Sequence, residues 1–205
     1  PPYGCVNIHA SILPQLRGAA PIQWSILNGM DETGVTARYM SAGMDEGDII
    51  EISRTPIAPQ ETAAELTNRL AVLGADLLGR TVQAIADGTV HAVPQDAAAA
   101  TYAPMLTKAL SPIDWTHTQR QILDQIRGLI PWPVATAVLG DKTFKIFRAE
   151  PAETPIGKTP GTLLALTKKG LEIACGDGAL RILELQAEGG KRMAAPDYFR
   201  GHPIE

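Results

Sequence analysis

Asn7, His9 and Asp45 are the residues of this 205-residue chain whose types and spacing could do chemistry together. Asn7 and His9 stand two apart in "VNIH", and alternate residues of a strand face one side. An amide and an imidazole would therefore be neighbours at one strand end. Asp45 follows 38 residues later, in "SAGMDEGDII". An amide N–H can donate to an oxygen that gains negative charge, which typically lowers a barrier by about 3–4 kcal/mol. An imidazole can move a proton, worth roughly 10²–10⁴ in rate. A carboxylate can fix the imidazole's tautomer. The set suits acyl transfer to an amine, because an amine acceptor needs no serine or cysteine nucleophile. Plainer readings stand beside it. A lone histidine on a strand is often only a satisfied polar residue, and Asp45 ahead of Gly47 suits a turn. Ser11 and Cys5 flank His9 but lack the sequence context of known nucleophiles. His91, His117 and His202 have no metal spacing, so no metal site is expected. The glycines match neither a dinucleotide nor a phosphate-loop fingerprint.

The elements that must position these residues can be read from periodicity and punctuation. Cys5–His9 reads as a short strand, and a helix runs from about Ala20 to Asn28 with Gly29 after it. Thr33–Met40 and Asp48–Ile57 read as strands. Thr62 and Glu65 form a capping box ahead of Leu66, Leu70, Leu73, Leu77 and Ile85 at helical spacing, and Asp87-Gly88 stops that helix. This order suggests a layered α/β domain, in which ligands gather beyond the carboxyl ends of strands. Residues 88–106 are rich in Ala, Pro and Thr and read as an extended linker. Thr116 and Gln119 suggest a second capping box, with Ile122, Ile126 and Leu129 on the helix's apolar face. Beyond Pro131-Trp132-Pro133, short strands alternate with glycine turns, a spacing that suits a small β-barrel. Trp24 and Trp132 read as packing residues. The expected division is residues 1–87, a linker at 88–106, and residues 107–205.

Composition is that of a globular protein, 45% hydrophobic and 20% charged, with mean hydropathy near zero. No apolar run is long enough to span a bilayer, so no membrane role is expected. Cys5 and Cys175 are far apart and read as two buried thiols of a reducing cytoplasm. Net charge is −4, divided as −6 over residues 1–104 and +2 over residues 105–205. That asymmetry permits a polyanionic partner for the C-terminal half. The start, Pro1-Pro2-Tyr3-Gly4, carries no signal segment and no initiator Met, and reads as the start of a fragment.

The stretch "GCVNIHASILPQLRGAAPIQWSILNGMDETGVT", followed by "MDEGDII", resembles the folate-dependent formyltransferase family. The likeness rests on the Asn-Ile-His triplet, Ser11-Ile12-Leu13-Pro14, "RGAAPIQ" and an Asp-x-Gly-Asp loop. It continues through "TYAPMLTK", "IDW", "PWP" and "GDGALRILELQAEGGKRM". The "LQAEGGKRM" end favours the branch that acts on methionyl-tRNA over branches with sugar or ribotide acceptors. The resemblance implies the C-terminal half of a Rossmann-like formyltransferase domain followed by a small OB-like β-barrel domain that holds tRNA. It implies 10-formyltetrahydrofolate as donor and co-substrate, initiator methionyl-tRNA as acceptor, no metal, a cytoplasmic location and a monomer. Asn7 would stabilise the carbonyl oxygen of the formyl group, His9 would shuttle a proton, and Asp45 would pair with His9. Ser11, Ile12, Leu13 and Pro14 would contact the folate, and the Met40–Asp45 loop, including Gly43, would border the pterin. Ile12 stands where the family's tetrapeptide usually has Leu, a volume-conserving difference. Lys168, Lys169, Lys191, Arg192 and Arg200 are the RNA-binding candidates. The family's catalytic domain starts upstream of the strand carrying Asn7. The chain is thus expected to hold the acid–base residues without the first strands of the sheet, part of the folate pocket and a loop that meets tRNA. An amino-sugar acceptor and a non-catalytic RNA- or folate-binding fragment are the alternative readings.

Overall fold

A computed structural model describes residues 2–153 and 157–203. Two compact units divide the chain, Pro1–Leu106 and Thr107–Glu205.

The first unit is built on three antiparallel strands, β1 (Val6–His9), β3 (Glu32–Tyr39) and β4 (Ile49–Pro56), in the order β1-β3-β4. An α/β unit is what the resemblance implies, and these described strands supply the sheet of one. Each neighbour reverses direction, and the two-residue pair β2 (Arg17–Gly18) with β5 (Tyr102–Ala103) is a parallel pairing in this unit. The sheet is two-faced. Ile8 lies opposite Ala37, and with Val35 these side chains join the apolar core beneath helix α2 (Ala63–Ala86). The other face carries Asn7 opposite Arg38 and His9 opposite Thr36. One residue step along the strand thus separates core from the polar face.

Helix α2 starts at the capping box read from sequence, with Thr62 accepting from the Glu65 backbone and Glu65 returning to Thr62. Leu66, Leu70 and Leu77 are fully buried, each worth about 1.5–3 kcal/mol by area. Gly74 lies on the same stripe. A Cβ there would stand 3.1 Å from Ile8 Cγ2, so its absence lets the helix sit close to β1. Helix α1 (Pro21–Leu27) has proline in its first turn, and Gly29 follows its end at φ 67°. Residues 88–106 run along this unit rather than away from it. Val93 bridges Ile49, β5 pairs β2, and the Trp24 indole donates to the Pro104 carbonyl at 2.8 Å. Cys5 is exposed, contrary to the expectation of two buried thiols. It precedes β1 in an exposed lead-in, whereas burial covers Cys175 and pushes its thiol pKa up.

The second unit packs helix α3 (Gln119–Gly128) on a six-stranded sheet of β6 (Ala135–Leu139), β7 (Lys142–Ala152), β8 (Leu163–Leu166), β9 (Leu171–Ala174), β10 (Ala179–Ala187) and β11 (Met193–Ala194). The order is β6-β7-β10-β9-β8, with β11 on β10. The end strands β6 and β8 do not pair among the described residues, so the sheet does not close into the expected OB-like barrel. Its apolar face is instead covered by Ile122 and Ile126 of α3 and by Phe199 of helix α4 (Ala195–Gly201), against Phe144, Ile146, Leu180 and Ile182. The capping box of α3 lies two residues beyond the one expected. Asp114 takes both the amide and the hydroxyl of Thr116, and Thr118 with Gln121 caps the helix. Both pairs fit the same Thr-x-x-Gln spacing, and the Asp114 turn decides between them. Trp132 is exposed rather than packed.

Candidate active site

The polar face of β1 and β3 becomes a site because three other segments fold onto it. After His9 the chain turns through Ser11–Pro14, which hangs on Thr36 of β3. The Thr36 hydroxyl donates to the Ser11 carbonyl at 2.7 Å and accepts from the Leu13 amide at 3.2 Å. The turn ends at Leu16, whose backbone is left-handed (φ 58°) with its side chain buried, a conformation that costs on the order of 1 kcal/mol. That twist presents the Leu16 carbonyl to His9, 2.9 Å from Nε2. A carbonyl only accepts, so Nε2 carries the hydrogen and Nδ1 is the nitrogen free to take or release a proton.

Asp45 meets His9 from the loop between β3 and β4. Its Oδ2 lies 3.6 Å from His9 Nδ1, an ion-pair approach beyond hydrogen-bond reach. The same oxygen accepts the Gly18 amide at 2.8 Å, and Oδ1 accepts Arg38 Nη2 at 2.6 Å. Asp45 itself is left-handed (φ 56°), a state aspartate tolerates better than most residues. Gly47 makes the loop's return to β3 feasible, since a Cβ there would fall on the Tyr39 carbonyl oxygen. The Asp-x-Gly-Asp pattern thus pairs a carboxylate with the glycine that aims it. Asn7 is half-buried, and its carboxamide has no hydrogen-bond partner among the described residues.

The folate candidates divide by orientation. Ser11 is buried and its hydroxyl donates to the Gln15 carbonyl, while Leu13 is 2% exposed in the core. Ile12 and Pro14 are half-buried, Gly43 is half-buried, and Met40 is exposed beyond the end of β3. In the second unit, Lys168 and Lys169 stand exposed on the β8–β9 turn, and Lys191 precedes β11. Arg192 is held by Glu184 at 2.7 Å, which keeps the Glu184 carboxyl below its usual range, and it lies over the Phe147 ring. Arg200 pairs with Asp197 at 3.0 Å within one helical turn. The three lysines make no ion pair among the described residues. Lys169 and Arg148 line an open cleft of about 470 Å³ together with Glu150 and Glu184.

Two arginines around this site escaped the sequence reading. Arg38 is 5% exposed, bonded to Asp45, and its Nε–H is buried without a partner. Arg17 is 4% exposed and is held by Gln95. Arg17 sits inside the "RGAAPIQ" signature, which was a signal. Arg38 was legible as a charge in a run that is otherwise buried, but no spacing rule ties it to Asp45.

Comparison with known proteins shows the family. The family model described as formyl transferase matches residues 1–82, and that of the formyl transferase C-terminal domain matches residues 105–203. The chain belongs to the formyl transferase family. Within it, the methionyl-tRNA formyltransferase of Citrifermentans bemidjiense is 44% identical over the whole chain, and that of Trichlorobacter lovleyi is 46% identical. The chain spans 64% of the length of each. The fold is also that of HypX from Aquifex aeolicus in complex with tetrahydrofolic acid, at TM-score 0.72 and 22% identity over 95% of this chain and 34% of that one. An N-formyltransferase from Helicobacter canadensis, in complex with folinic acid and dTDP-3-aminofucose, matches at TM-score 0.72 and 24% identity, over 86% of this chain and 65% of that one.

Proposed function

We propose that the protein carrying this sequence transfers a formyl group from 10-formyltetrahydrofolate to the α-amine of initiator methionyl-tRNA. One observation carries the reading: a histidine whose tautomer is set by the Leu16 carbonyl faces Asp45 across 3.6 Å, on the sheet face that also presents the unpaired carboxamide of Asn7. The donor molecule supplies an activated formyl carbonyl. The residues fit such a group, because the Asn7 amide and the buried Nε–H of Arg38 are donors without acceptors among the described residues.

Asn7 would donate to the carbonyl oxygen as charge develops there. His9, with its Nε2–H committed, would take the amine proton at Nδ1 as the new C–N bond forms, with the Asp45 carboxylate offsetting the imidazolium charge. That proton would go to N10 of the folate as the old C–N bond breaks and tetrahydrofolate leaves. An α-amine titrates near ~8, and an ester neighbour lowers that value, so no strong base is required. Ile12, Pro14, Met40 and Gly43 keep surface for the folate, while Ser11 and Leu13 would act through the turn they build. The second unit, read as the tRNA-holding domain, would use Lys168, Lys169 and Lys191 on phosphates, with Arg192 and Arg200 already paired. The protein would work in the cytoplasm as a monomer. The 44–46% identity of the methionyl-tRNA relatives favours tRNA over an amino sugar as acceptor.

The test incubates the full-length protein with 10-formyltetrahydrofolate and charged initiator tRNA, and follows formylmethionine. Product on tRNA but none on a nucleotide-linked amino sugar is expected. The reverse preference, or no product on either, would overturn the reading.

A further inference from the structure

Gln95 lies 50 residues beyond Asp45, in the segment that reads as a linker, yet its carboxamide is spent on the Asp45–Gly47 loop and on Arg17. Its Nε2 donates to the Asp45 carbonyl at 2.7 Å and to the Gly47 carbonyl at 2.8 Å. Its Oε1 accepts from Arg17 Nε at 3.1 Å and Nη2 at 2.8 Å. Arg17 is buried, its backbone amide bonds the Thr101 carbonyl, and the next residue, Gly18, donates its amide to the Asp45 carboxylate. Gln95 therefore closes a ring. It fixes the backbone of Asp45 to the same short strand whose amide holds the Asp45 side chain. A left-handed aspartate with its carboxylate between Arg38 and His9 has competing partners, and a small loop shift would change which one it favours.

We propose that Gln95 is a positioning residue for formyl transfer, setting where the Asp45 carboxylate stands relative to His9. The inference rests on the functional reading above. Glutamate at this position separates the two halves of the ring. It can still accept from Arg17 through one oxygen, but its other oxygen, in place of the Nε2 donor, faces the carbonyls of Asp45 and Gly47. Gln95→Glu thus keeps the buried guanidinium satisfied and removes only the tether, whereas Gln95→Ala removes both and risks the fold.

The experiment compares the full-length wild type with Gln95→Glu by amide hydrogen exchange and by formyl-transfer kinetics. The Gly18 amide reports directly on Asp45. Its exchange is expected to speed up by about tenfold or more as the carboxylate moves. The value of kcat is expected to fall on the order of 10- to 100-fold, with the KM for the acceptor unchanged, as a misplaced catalytic group does. Wild-type exchange at Gly18 would overturn the proposal. So would faster exchange with unchanged kcat, since the residue would then be structural only. If the wild type transfers no formyl group to any acceptor, the functional reading fails separately, and the Gly18 exchange alone decides whether Gln95 sets the place of Asp45.

Discussion

Each unit sets an aspartate against a buried arginine, and the two clusters differ in where their partners come from. Asp124 is 2% exposed and bonded to Arg120 at 2.7 Å and to Arg127 at 2.8 Å, partners three and four residues away on the same helix. Asp45 gathers Arg38 from β3, the Gly18 amide from β2 and His9 from β1, and its backbone is held by Gln95. No buried side-chain atom of the local cluster lacks a hydrogen-bond partner among the described residues. The convergent one leaves a histidine nitrogen 3.6 Å away, an arginine Nε–H without an acceptor and an unbonded asparagine amide on the same face. Two aspartate–arginine clusters, one buried and one half-buried, therefore serve two ends, and the leftover hydrogen-bonding capacity distinguishes them.

Replacing each aspartate tests that division most strongly. Asp45→Asn is expected to lower kcat by roughly 10²–10⁴, measured on the full-length protein with both substrates. Asp124→Asn should leave kcat unchanged and cost about 3 kcal/mol in denaturant unfolding, because Arg127 is left buried beside a neutral amide. Equal losses of activity in the two variants would erase the distinction. Next in size is Gly47→Ala. The added Cβ meets the Tyr39 carbonyl, so the loop must shift and carry Asp45 with it, and kcat should fall on the order of 10-fold.

How far the sequence led depends on whether the signal was local. Asn7 and His9 were legible because a strand has period two, and Asp45 because an Asp-x-Gly-Asp loop follows the next strand. Arg38 and Gln95 were not, since their role depends on strand register and on a returning segment that no spacing rule encodes. In the second unit, turn spacing located the strands but could not say whether β6 and β8 pair. The capping box of α3 shows the same limit at short range. Two Thr-x-x-Gln pairs overlap there, and only the Asp114 turn separates them.

That overlap gives the smallest tests. Thr118→Ala should cost about 1 kcal/mol of stability in denaturant unfolding, as the loss of a helix cap does. Thr116→Ala should cost only about half of that or less, because the Thr116 amide still reaches Asp114. Neither should change the rate of formyl transfer, and a rate effect from either would mean that the second unit's ion-paired helix is coupled to the chemistry after all.

The most direct measurement is a single-turnover assay of formyl transfer with wild type, Asn7→Ala and His9→Ala in the full-length protein, each checked for native unfolding behaviour. Both variants should form formylmethionyl-tRNA slower than wild type by on the order of 10² or more, with substrate binding retained. A folded His9→Ala or Asn7→Ala variant that turns over at the wild-type rate would contradict the assignment of this sheet face as the place where the formyl group moves.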